Sequence, residues 1–153
     1  MISTAEVGGF NSGGVVLPRN TRLGILREFE SDKPLIELVG KGDVSRSIYI
    51  LNMAGLSEAY LYLKRFSELS AGQQYRAMTA KLIDAECNLW VADEFCSALD
   101  PLTSYVVAQN IRRQAELCAA TVVVAAPHCS YFADGLQPDR VLYLTSGRSH
   151  TLF

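Results

Sequence analysis

The chain has 153 residues, of which 49% are hydrophobic and 20% are charged, and its formal net charge is -2. This length suits one domain or a large part of one, and the composition can build a core. The small net charge gives no electrostatic argument for binding nucleic acid or a membrane surface. No apolar run reaches membrane-spanning length and no secretory leader is evident, so we expect a cytoplasmic protein.

The first 22 residues are rich in Gly, Ser and Asn, and we expect a flexible lead-in there. A nucleotide-binding domain would carry a phosphate loop of the form G-x-x-x-x-G-K-[ST] near this point. Gly8 and Gly13 have the required spacing, but Gly14 stands in place of Lys and Val15 in place of Ser or Thr. This segment therefore does not match a phosphate loop.

The only Gly-Lys pair, Gly40-Lys41, also fails the test, because Leu35 replaces the first Gly and Gly42 replaces Ser or Thr. In a phosphate loop the Lys neutralises phosphate charge and the hydroxyl ligates Mg²⁺. We therefore expect the sequence to lack the part of a site that grips a triphosphate.

A short apolar run at residues 23–26 predicts a strand, and Glu28 follows it. The residue pattern of 34–66 predicts mostly helix. Gly55 is expected to separate two helices there, since Gly is costly within a helix and favourable just after its end.

Residues 70–85 predict one amphipathic helix whose core stripe follows i, i+3, i+4 spacing, namely Tyr75, Met78, Thr79, Leu82 and Ile83. Ser70 is a good N-cap residue, and capping alone could explain its presence. A helix start with small residues such as Gly72 also offers free N–H groups and a positive dipole end to an anion.

Residues 88–92 predict a buried strand with Trp90 in the core, and the strand ends in two adjacent carboxylates, Asp93 and Glu94. Open α/β sheets place ligands at the carboxyl ends of their strands. The structural alternative for this acidic pair is capping of the turn that follows.

Asp100-Pro101 is typical of a helix start, and the helix is expected to end near Leu117. Its core face is marked by Val107, Ile111, Gln114 and Cys118. The β-branched run at residues 121–126 predicts a strand buried on both faces, and His128 follows it. Strands that alternate with helices indicate an α/β fold with a parallel sheet and right-handed crossovers.

The end of the chain is expected to contain a short helix and turn at residues 131–138 and a last strand at 140–144. A turn at 146–148 and a frayed tail should follow. The four cysteines, Cys87, Cys96, Cys118 and Cys129, lie 9, 22 and 11 positions apart without C-x-x-C pairs. We therefore expect no zinc site, and reduced, mostly buried thiols.

Taken in order, these features resemble the C-terminal part of an ABC-type ATPase domain. The motifs are a signature motif at residues 69–73, a Walker B strand ending in Asp93 and Glu94, a D-loop at residues 97–100, and a switch histidine, His128. The sequence of residues 65–76, 93–95 and 136–139 is most similar to that of one subgroup of these ATPases, whose members are joined to a predicted acetyltransferase domain. The resemblance implies a partial P-loop-NTPase-like sheet over residues 23–150, with a small helical subdomain at about 34–66.

The resemblance also implies roles for individual residues. Asp93 would hold Mg²⁺, Glu94 would be the general base for the attacking water, and His128 would contact the γ-phosphate of ATP. Glu28 falls near the position where the family has a glutamine. In the family, each ATP site is composite, because the signature helix of one subunit faces the ATP that another subunit holds. The residues implied to contact ATP in this way are Ser70, Gly72, Gln73 and Asp100.

Three functions remain open at this point. The first is a truncated or split half of an ABC-type ATPase, whose phosphate loop is supplied elsewhere and which hydrolyses little or no ATP alone. The second is a non-catalytic regulatory partner that completes an ATP site on another ABC subunit, or on a second copy. The third, a DNA-repair or chromosome-type ATPase, is disfavoured because no heptad run accompanies the signature motif.

A transport role would require separate membrane subunits. In transporters of the family the helical subdomain docks the membrane subunit. The alternative is that this subdomain only covers the sheet.

Overall fold

A computed structural model of the chain describes residues 16–128, 131–145 and 148–152. The phosphate-loop test at residues 8–15 and the prediction for Cys129 fall outside these ranges. The elements, in chain order, are β1 (Leu23–Ile25), α1 (Leu35–Leu38), α2 (Val44–Met53), α3 (Ala71–Asp84), β2 (Leu89–Ala92), α4 (Pro101–Leu117), β3 (Thr121–Val124), α5 (Ala133–Leu136), β4 (Val141–Thr145) and β5 (Arg148–Leu152).

Strands β1, β2 and β3 form a parallel sheet in that order, with β2 in the centre. The registers pair Gly24 with Trp90 and Trp90 with Val122. The ladder continues past the strand ends, because the Leu26 N–H donates to the Val91 carbonyl over 2.8 Å. The predicted α/β fold with a parallel sheet flanked by helices is therefore confirmed.

The core lies between this sheet and helices α3 and α4. Trp90 is fully buried, and its indole N–H donates to the Cys87 carbonyl over 2.8 Å. Gly24 lies directly against α3, because a Cβ at this position would come within 2.5 Å of Leu82 Cδ2. Close approach of the first strand to the helix therefore requires Gly.

Short helices fill the region between β1 and α3. Three 3-10 helices at Gly40–Gly42, Ala59–Leu63 and Phe66–Glu68 accompany α1 and α2. Gly55, with φ of +88°, follows the end of α2 as predicted. The helix expected after Gly55 does not form as an α-helix. The 3-10 helix Ala59–Leu63 takes its place.

The failed phosphate-loop match at Gly40-Lys41 forms a tight turn in front of α2. Gly40, Lys41 and Gly42 all have positive φ, and Gly40 is packed so closely that a Cβ would lie 2.2 Å from Ser47 Oγ. The Ser47 hydroxyl donates to the Val39 carbonyl over 2.8 Å. This glycine-rich segment therefore has a packing role.

Two further expectations are wrong. Strand β3 is not buried on both faces, because its residues alternate and Val123 remains 51% exposed. The two helices α3 and α4 shield only the other side of the sheet. The predicted frayed tail is instead strand β5, which pairs antiparallel with β4. The side-chain pattern of Arg148–Leu152 does not predict a strand. Its strand conformation results from backbone pairing with β4.

None of the helices in the described ranges combines the length and the apolar character that crossing a lipid bilayer requires.

Candidate functional site

The start of α3 is a capping box. The Gln73 N–H donates to the Ser70 hydroxyl over 3.4 Å, and the Ser70 N–H donates to the Gln73 side-chain oxygen over 3.0 Å. Such a cap contributes about 1 kcal/mol to helix stability. The first-turn N–H groups next to Gly72 have no acceptor within the helix. The structural role of Ser70 is thus confirmed, and the helix start still presents donors to an anion.

This helix start opens into a groove of about 380 Å³ between α3 and the segment leading into α4. Gly72 lies close to Thr103, whose Cγ2 would be 3.0 Å from a Cβ at position 72. Arg76 also lines the groove, one turn further along α3, and its Nη1 donates to the Gly55 carbonyl over 3.2 Å. A guanidinium beside a helix N-terminus reinforces the preference for an anion. Arg76 was not among the predicted site residues, although its i+4 spacing from Gly72 is visible in the sequence.

Asp100 lines the opposite wall of this groove and caps α4. Its carboxylate accepts the N–H groups of Leu102 and Thr103 over 3.1 and 3.0 Å. Hydrogen bonds from the Thr103 side chain and backbone, and then from the Leu102 N–H, hold the pKa of Asp100 below its usual value. The positive end of α4 offsets its charge, so Asp100 opposes an anion in the groove less than a free carboxylate would.

The acidic pair lies just past β2, and both carboxylates are exposed. Asp93 Oδ1 accepts the Glu94 N–H over 2.9 Å, and the Glu94 carbonyl accepts the Ser97 N–H over 3.0 Å. Asp93 therefore accepts one hydrogen bond from the turn that follows, the kind of contact that the capping alternative proposed for the pair. A single hydrogen bond to one oxygen leaves lone pairs on Asp93 for another ligand.

The loop that carries Glu94 adopts an unusual backbone and is held by buried aromatic contacts. Glu94 and Cys96 have φ values of +48° and +58°, a region that costs non-glycine residues about 1–2 kcal/mol each. Between them Phe95 is buried, edge-on to Tyr75 at 5.7 Å and to Phe132 at 5.1 Å. The Tyr75 hydroxyl accepts the Cys96 N–H over 2.9 Å. Helix α3 therefore fixes the loop after β2.

Two groups beside Glu94 have pKa values raised by burial. Desolvation raises the pKa of Tyr75, and it raises the pKa of the Cys96 thiol to about 12. The Cys96 side chain is therefore a protonated packing group at neutral pH and is unsuited to act as a nucleophile.

Strand β3 brings His128 to the same edge of the sheet as the acidic pair. The Phe95 N–H donates to the Ala125 carbonyl over 2.9 Å, which ties the two strand ends together, and His128 follows three residues later, exposed. Glu28 follows β1 at this edge and lines a second groove of about 680 Å³ with Phe66 and Gln74. The carboxyl ends of three parallel strands thus carry Glu28, the acidic pair and His128.

The predicted site residues therefore form two sets. Ser70, Gly72, Gln73 and Asp100 share the groove at the start of α3, whereas Glu28, Asp93, Glu94 and His128 follow the three strand ends. The lining of the α3 groove includes neither Glu94 nor His128. Residues 94–99 connect the sets through the Tyr75–Cys96 hydrogen bond.

The acidic residues fit a metal ion that arrives with a nucleotide rather than a metal held by the protein alone. Within the described part of the chain, no three His, Cys, Asp or Glu side chains are grouped as a metal site. Mg²⁺ is usually held by one or two carboxylates together with phosphate oxygens and water. Asp93, exposed at a strand end, is a suitable single carboxylate for that arrangement.

No protein-family model matches the chain. The chain is 30% identical over 128 residues to the phosphonates import ATP-binding protein PhnC of Hydrogenovibrio crunogenus, covering 84% of the chain and 46% of that relative. It is 31% identical over 115 residues to PhnC of Lactococcus lactis subsp. cremoris, covering 74% of the chain and 46% of that relative. The chain thus spans about half the length of these curated relatives.

Solved structures give the same result for the fold. Superposition on cbiO1 from Clostridium perfringens, part of the ABC transporter complex cbiONQ, gives a TM-score of 0.71 at 18% identity, covering 91% of this chain and 65% of that one. A dimeric ATP-binding cassette in a post-hydrolysis state, bound to ADP and Pi, gives 0.65 at 24% identity and covers 88% and 65%. The homologues of the chain are ABC transporter ATP-binding proteins, and its fold is that of ABC ATPase cassettes.

Proposed function

We propose that this chain is part of an ABC-type ATPase and contributes to an ATP site whose phosphate loop lies outside these 153 residues. The observation that carries the proposal is the parallel pairing of β2 with β3. It brings the acidic pair after β2 and His128 after β3 to one edge of the sheet. Ligands bind at this edge in open α/β folds.

Each residue at the edge has a proposed chemical role in ATP hydrolysis. Asp93 would hold Mg²⁺, which supplies charge neutralisation for the phosphate oxygens. Glu94 would accept the proton of the attacking water, for which it must come within hydrogen-bond distance. His128 would hydrogen bond to the γ-phosphate, and Glu28 would contact the water or the metal from the end of β1.

The groove at the start of α3 would serve the ATP of a second cassette. Its lining contains Ser70, Gly72, Gln73 and Asp100 but not Glu94 or His128. This separation supports a composite site, in which the helix start of one chain faces the γ-phosphate held by another. The free N–H groups and Arg76 supply the positive field that such a contact needs.

This chain alone should hydrolyse ATP slowly or not at all, because the sequence contains no G-x-x-x-x-G-K-[ST]. Catalysis of phosphoryl transfer consists largely of positioning and charge stabilisation. Glu94 cannot act on a nucleotide that is not held in place. Turnover of Mg-ATP by the purified chain that Glu94→Gln abolishes would contradict this part of the proposal.

A chimera tests the site itself. The matched 128 residues of the Hydrogenovibrio PhnC would be replaced by the corresponding part of this chain. We expect the chimera to hydrolyse Mg-ATP and the Glu94→Gln form to lose about 10²- to 10⁴-fold in rate. Glu86→Gln, at the opposite end of β2, is the matched control and should retain activity. A Glu94→Gln chimera as active as the Glu86→Gln chimera would refute the role of Glu94.

Two narrower assignments are also proposals. The relatives are named for phosphonate import, which supports a transport role with membrane partners and a location on the cytoplasmic side. The wording of residues 65–76 supports instead the subgroup joined to a predicted acetyltransferase domain. Binding of acetyl-CoA by the native complex purified from its source would favour the subgroup, and co-purification with a membrane permease would favour transport.

A further inference from the structure

Helices α3 and α4 run side by side in the same direction, so that their facing residues match turn by turn. At the start of α3, a Cβ on Gly72 would lie 3.0 Å from Thr103 Cγ2 of α4. One turn further, Arg76 of α3 and Asn110 of α4 meet beside Gly55. A Cβ added to Gly55 would lie 3.5 Å from Arg76 Cδ and 3.1 Å from Asn110 Nδ2. Arg76, which lines the α3 groove, therefore lies opposite Asn110.

Three buried polar atoms on these two helices have no hydrogen-bond partner among the described residues. They are Arg76 Nε, Asn110 Oδ1 and Gln114 Oε1. Gln114 is only 2% exposed and lies four residues after Asn110, one turn along the same face of α4. Buried polar groups without a partner are costly and rare in folded proteins. The three atoms comprise one donor and two acceptors, which indicates an arrangement that joins them.

The orientation of the Asn110 amide explains why the three atoms are left over. Its amino end is turned toward Gly55, and Arg76 Nε lies 3.7 Å from the same added Cβ position. Both Asn110 Nδ2 and Arg76 Nε are donors, so neither can satisfy the other. The two ends of an asparagine amide have nearly the same shape, and its orientation follows from the hydrogen bonds that it can make.

We propose that Asn110 joins Arg76 to Gln114 and thereby positions Arg76 in the α3 groove. With its carbonyl end turned toward Gly55, Asn110 accepts the Arg76 Nε–H. Its amino group then donates to Gln114 Oε1, four residues along the helix, a spacing at which such side chains hydrogen bond. One orientation of a single side chain satisfies all three atoms.

This arrangement holds the guanidinium of Arg76 and leaves its charge available. Arg76 Nη1 donates to the Gly55 carbonyl over 3.2 Å. With Nε bound to Asn110, two of its three nitrogens are fixed by the protein, and Nη2 remains for an anion. Both acceptors are uncharged, so they do not neutralise the guanidinium as a carboxylate would. Asn110 is thus a positioning residue that acts on the anion through Arg76, an inference that rests on the proposed function of the groove.

Nuclear magnetic resonance of the whole chain tests the two hydrogen bonds. Nuclear Overhauser effects from the Asn110 amino protons should reach the Gln114 side chain and not Gly55. The Arg76 Nε–H should exchange slowly with solvent, and Asn110→Leu should speed this exchange about tenfold, because the acceptor is gone. Gln109→Leu, at the exposed neighbouring position of α4, is the matched control and should leave the exchange unchanged.

Titration with inorganic phosphate, followed through the backbone amides of Gly72 and Gln73, tests the positioning role. Asn110→Leu should raise the dissociation constant of phosphate about three- to tenfold, the equivalent of one lost hydrogen bond, and Gln109→Leu should not change it. Asn110→Asp separates the bond from the charge. It keeps an oxygen toward Arg76, so the Nε–H should stay protected, but its carboxylate offsets the guanidinium and should weaken phosphate binding at least as much as Asn110→Leu does.

Each outcome decides the proposal. Overhauser effects from the Asn110 amino protons to Gly55, or an Arg76 Nε–H that Asn110→Leu leaves protected, would overturn the bonds. Phosphate binding that neither Asn110 variant weakens would overturn the positioning role, as would a chain that binds no phosphate. Fluorescence of Trp90 during urea unfolding shows which variants are folded. If Asn110→Leu does not fold, the Overhauser effects of the unmodified chain and the two readouts of Asn110→Asp decide alone.

The chimera with the Hydrogenovibrio PhnC separates this inference from the proposed function. Turnover that ignores Glu94→Gln refutes the proposed function and leaves the contacts of Asn110 standing. Turnover that depends on Glu94, in a chain whose Arg76 Nε–H ignores Asn110→Leu, refutes this inference alone.

Discussion

Replacing Tyr75 with phenylalanine tests the link between α3 and the loop that carries Glu94. The substitution removes the acceptor of the Cys96 N–H and keeps the ring that packs edge-on against Phe95. Cys96 is only 5% exposed, so its N–H would have little access to water. A buried donor left without a partner costs about 1–3 kcal/mol. Because Tyr75 is half-buried and water can reach part of the space, we expect the lower half of that range, about 1–2 kcal/mol.

Urea unfolding followed by tryptophan fluorescence measures this loss. Trp90 is the only tryptophan and is fully buried, so its emission reports the core directly. The midpoint should fall without a change in the slope. In a thermal scan, a chain of this size should lose about 2–4 °C per kcal/mol. Tyr49→Phe, at a position that is 64% exposed, is the control and should change stability by less than about 0.5 kcal/mol.

Hydrogen exchange gives the local readout. In the phenylalanine variant the Cys96 amide should exchange faster, because the bond that protects it is gone. A variant with the same urea midpoint and the same exchange rate at Cys96 as the unmodified chain would refute the reasoning. It would mean that Phe95 packing alone holds the loop.

Three other predictions concern stability and pH. Burial raises the pKa of the Cys96 thiol to about 12, so the contribution of this thiol to the free energy of unfolding should be complete below the unfolded pKa of about 8.5 and be lost as pH rises toward 12. At pH 8 iodoacetamide should modify the thiol only after unfolding. Mass spectrometry of the labelled peptide would show this. The pKa of Asp100 is lowered, so its contribution to stability should be present above about pH 4 and be lost on acidification. Asp100→Ala should lower the melting temperature at pH 7 and make the melting temperature less dependent on pH in the acid range. Asp100→Asn should restore most of the stability at pH 7, because Asn still caps a helix. Gly24→Ala would press a methyl group against Leu82 and Cys87 and should cost about 1–3 kcal/mol in urea unfolding, whereas Gly42→Ala, where no atom lies within 4 Å of the added Cβ, isolates the cost of positive φ alone.

Local features of the site could be read from the sequence because they depend on residues close along the chain. The Ser70 and Asp100 caps each involve partners within three residues, and the Pro after Asp100 reinforced the second. The acidic pair at the end of β2 was identified in the same way, from an apolar run that ends in carboxylates. The fold class followed from the alternation of strands and helices.

Contacts between residues far apart in the chain could not be predicted from the sequence. Tyr75 was assigned to the core stripe of α3, yet its hydroxyl holds an amide 21 residues away. Arg76 was not recognised as a groove residue, because the opposite wall of the groove, which includes Ala98 and Thr103, comes from a different part of the chain. The exposure of Val123 was also missed, since a β-branched run reads as buried whether or not a helix covers both sides of the strand.

The amino-acid sequence by itself determined the alternation of β1, β2 and β3 with helices, the capped starts of α3 and α4, and the residue types that stand at the ends of these three strands. These depend on hydrophobic periodicity and on hydrogen bonds within one helical turn, which are properties of short segments. Only the tertiary structure decided that Glu94 is held through Phe95 and Tyr75, that the α3 groove is separate from the strand-end carboxylates, and that no helix of the described ranges covers the face of the sheet that carries Val123. Those features depend on side chains far apart in the chain, whose proximity is a result of packing.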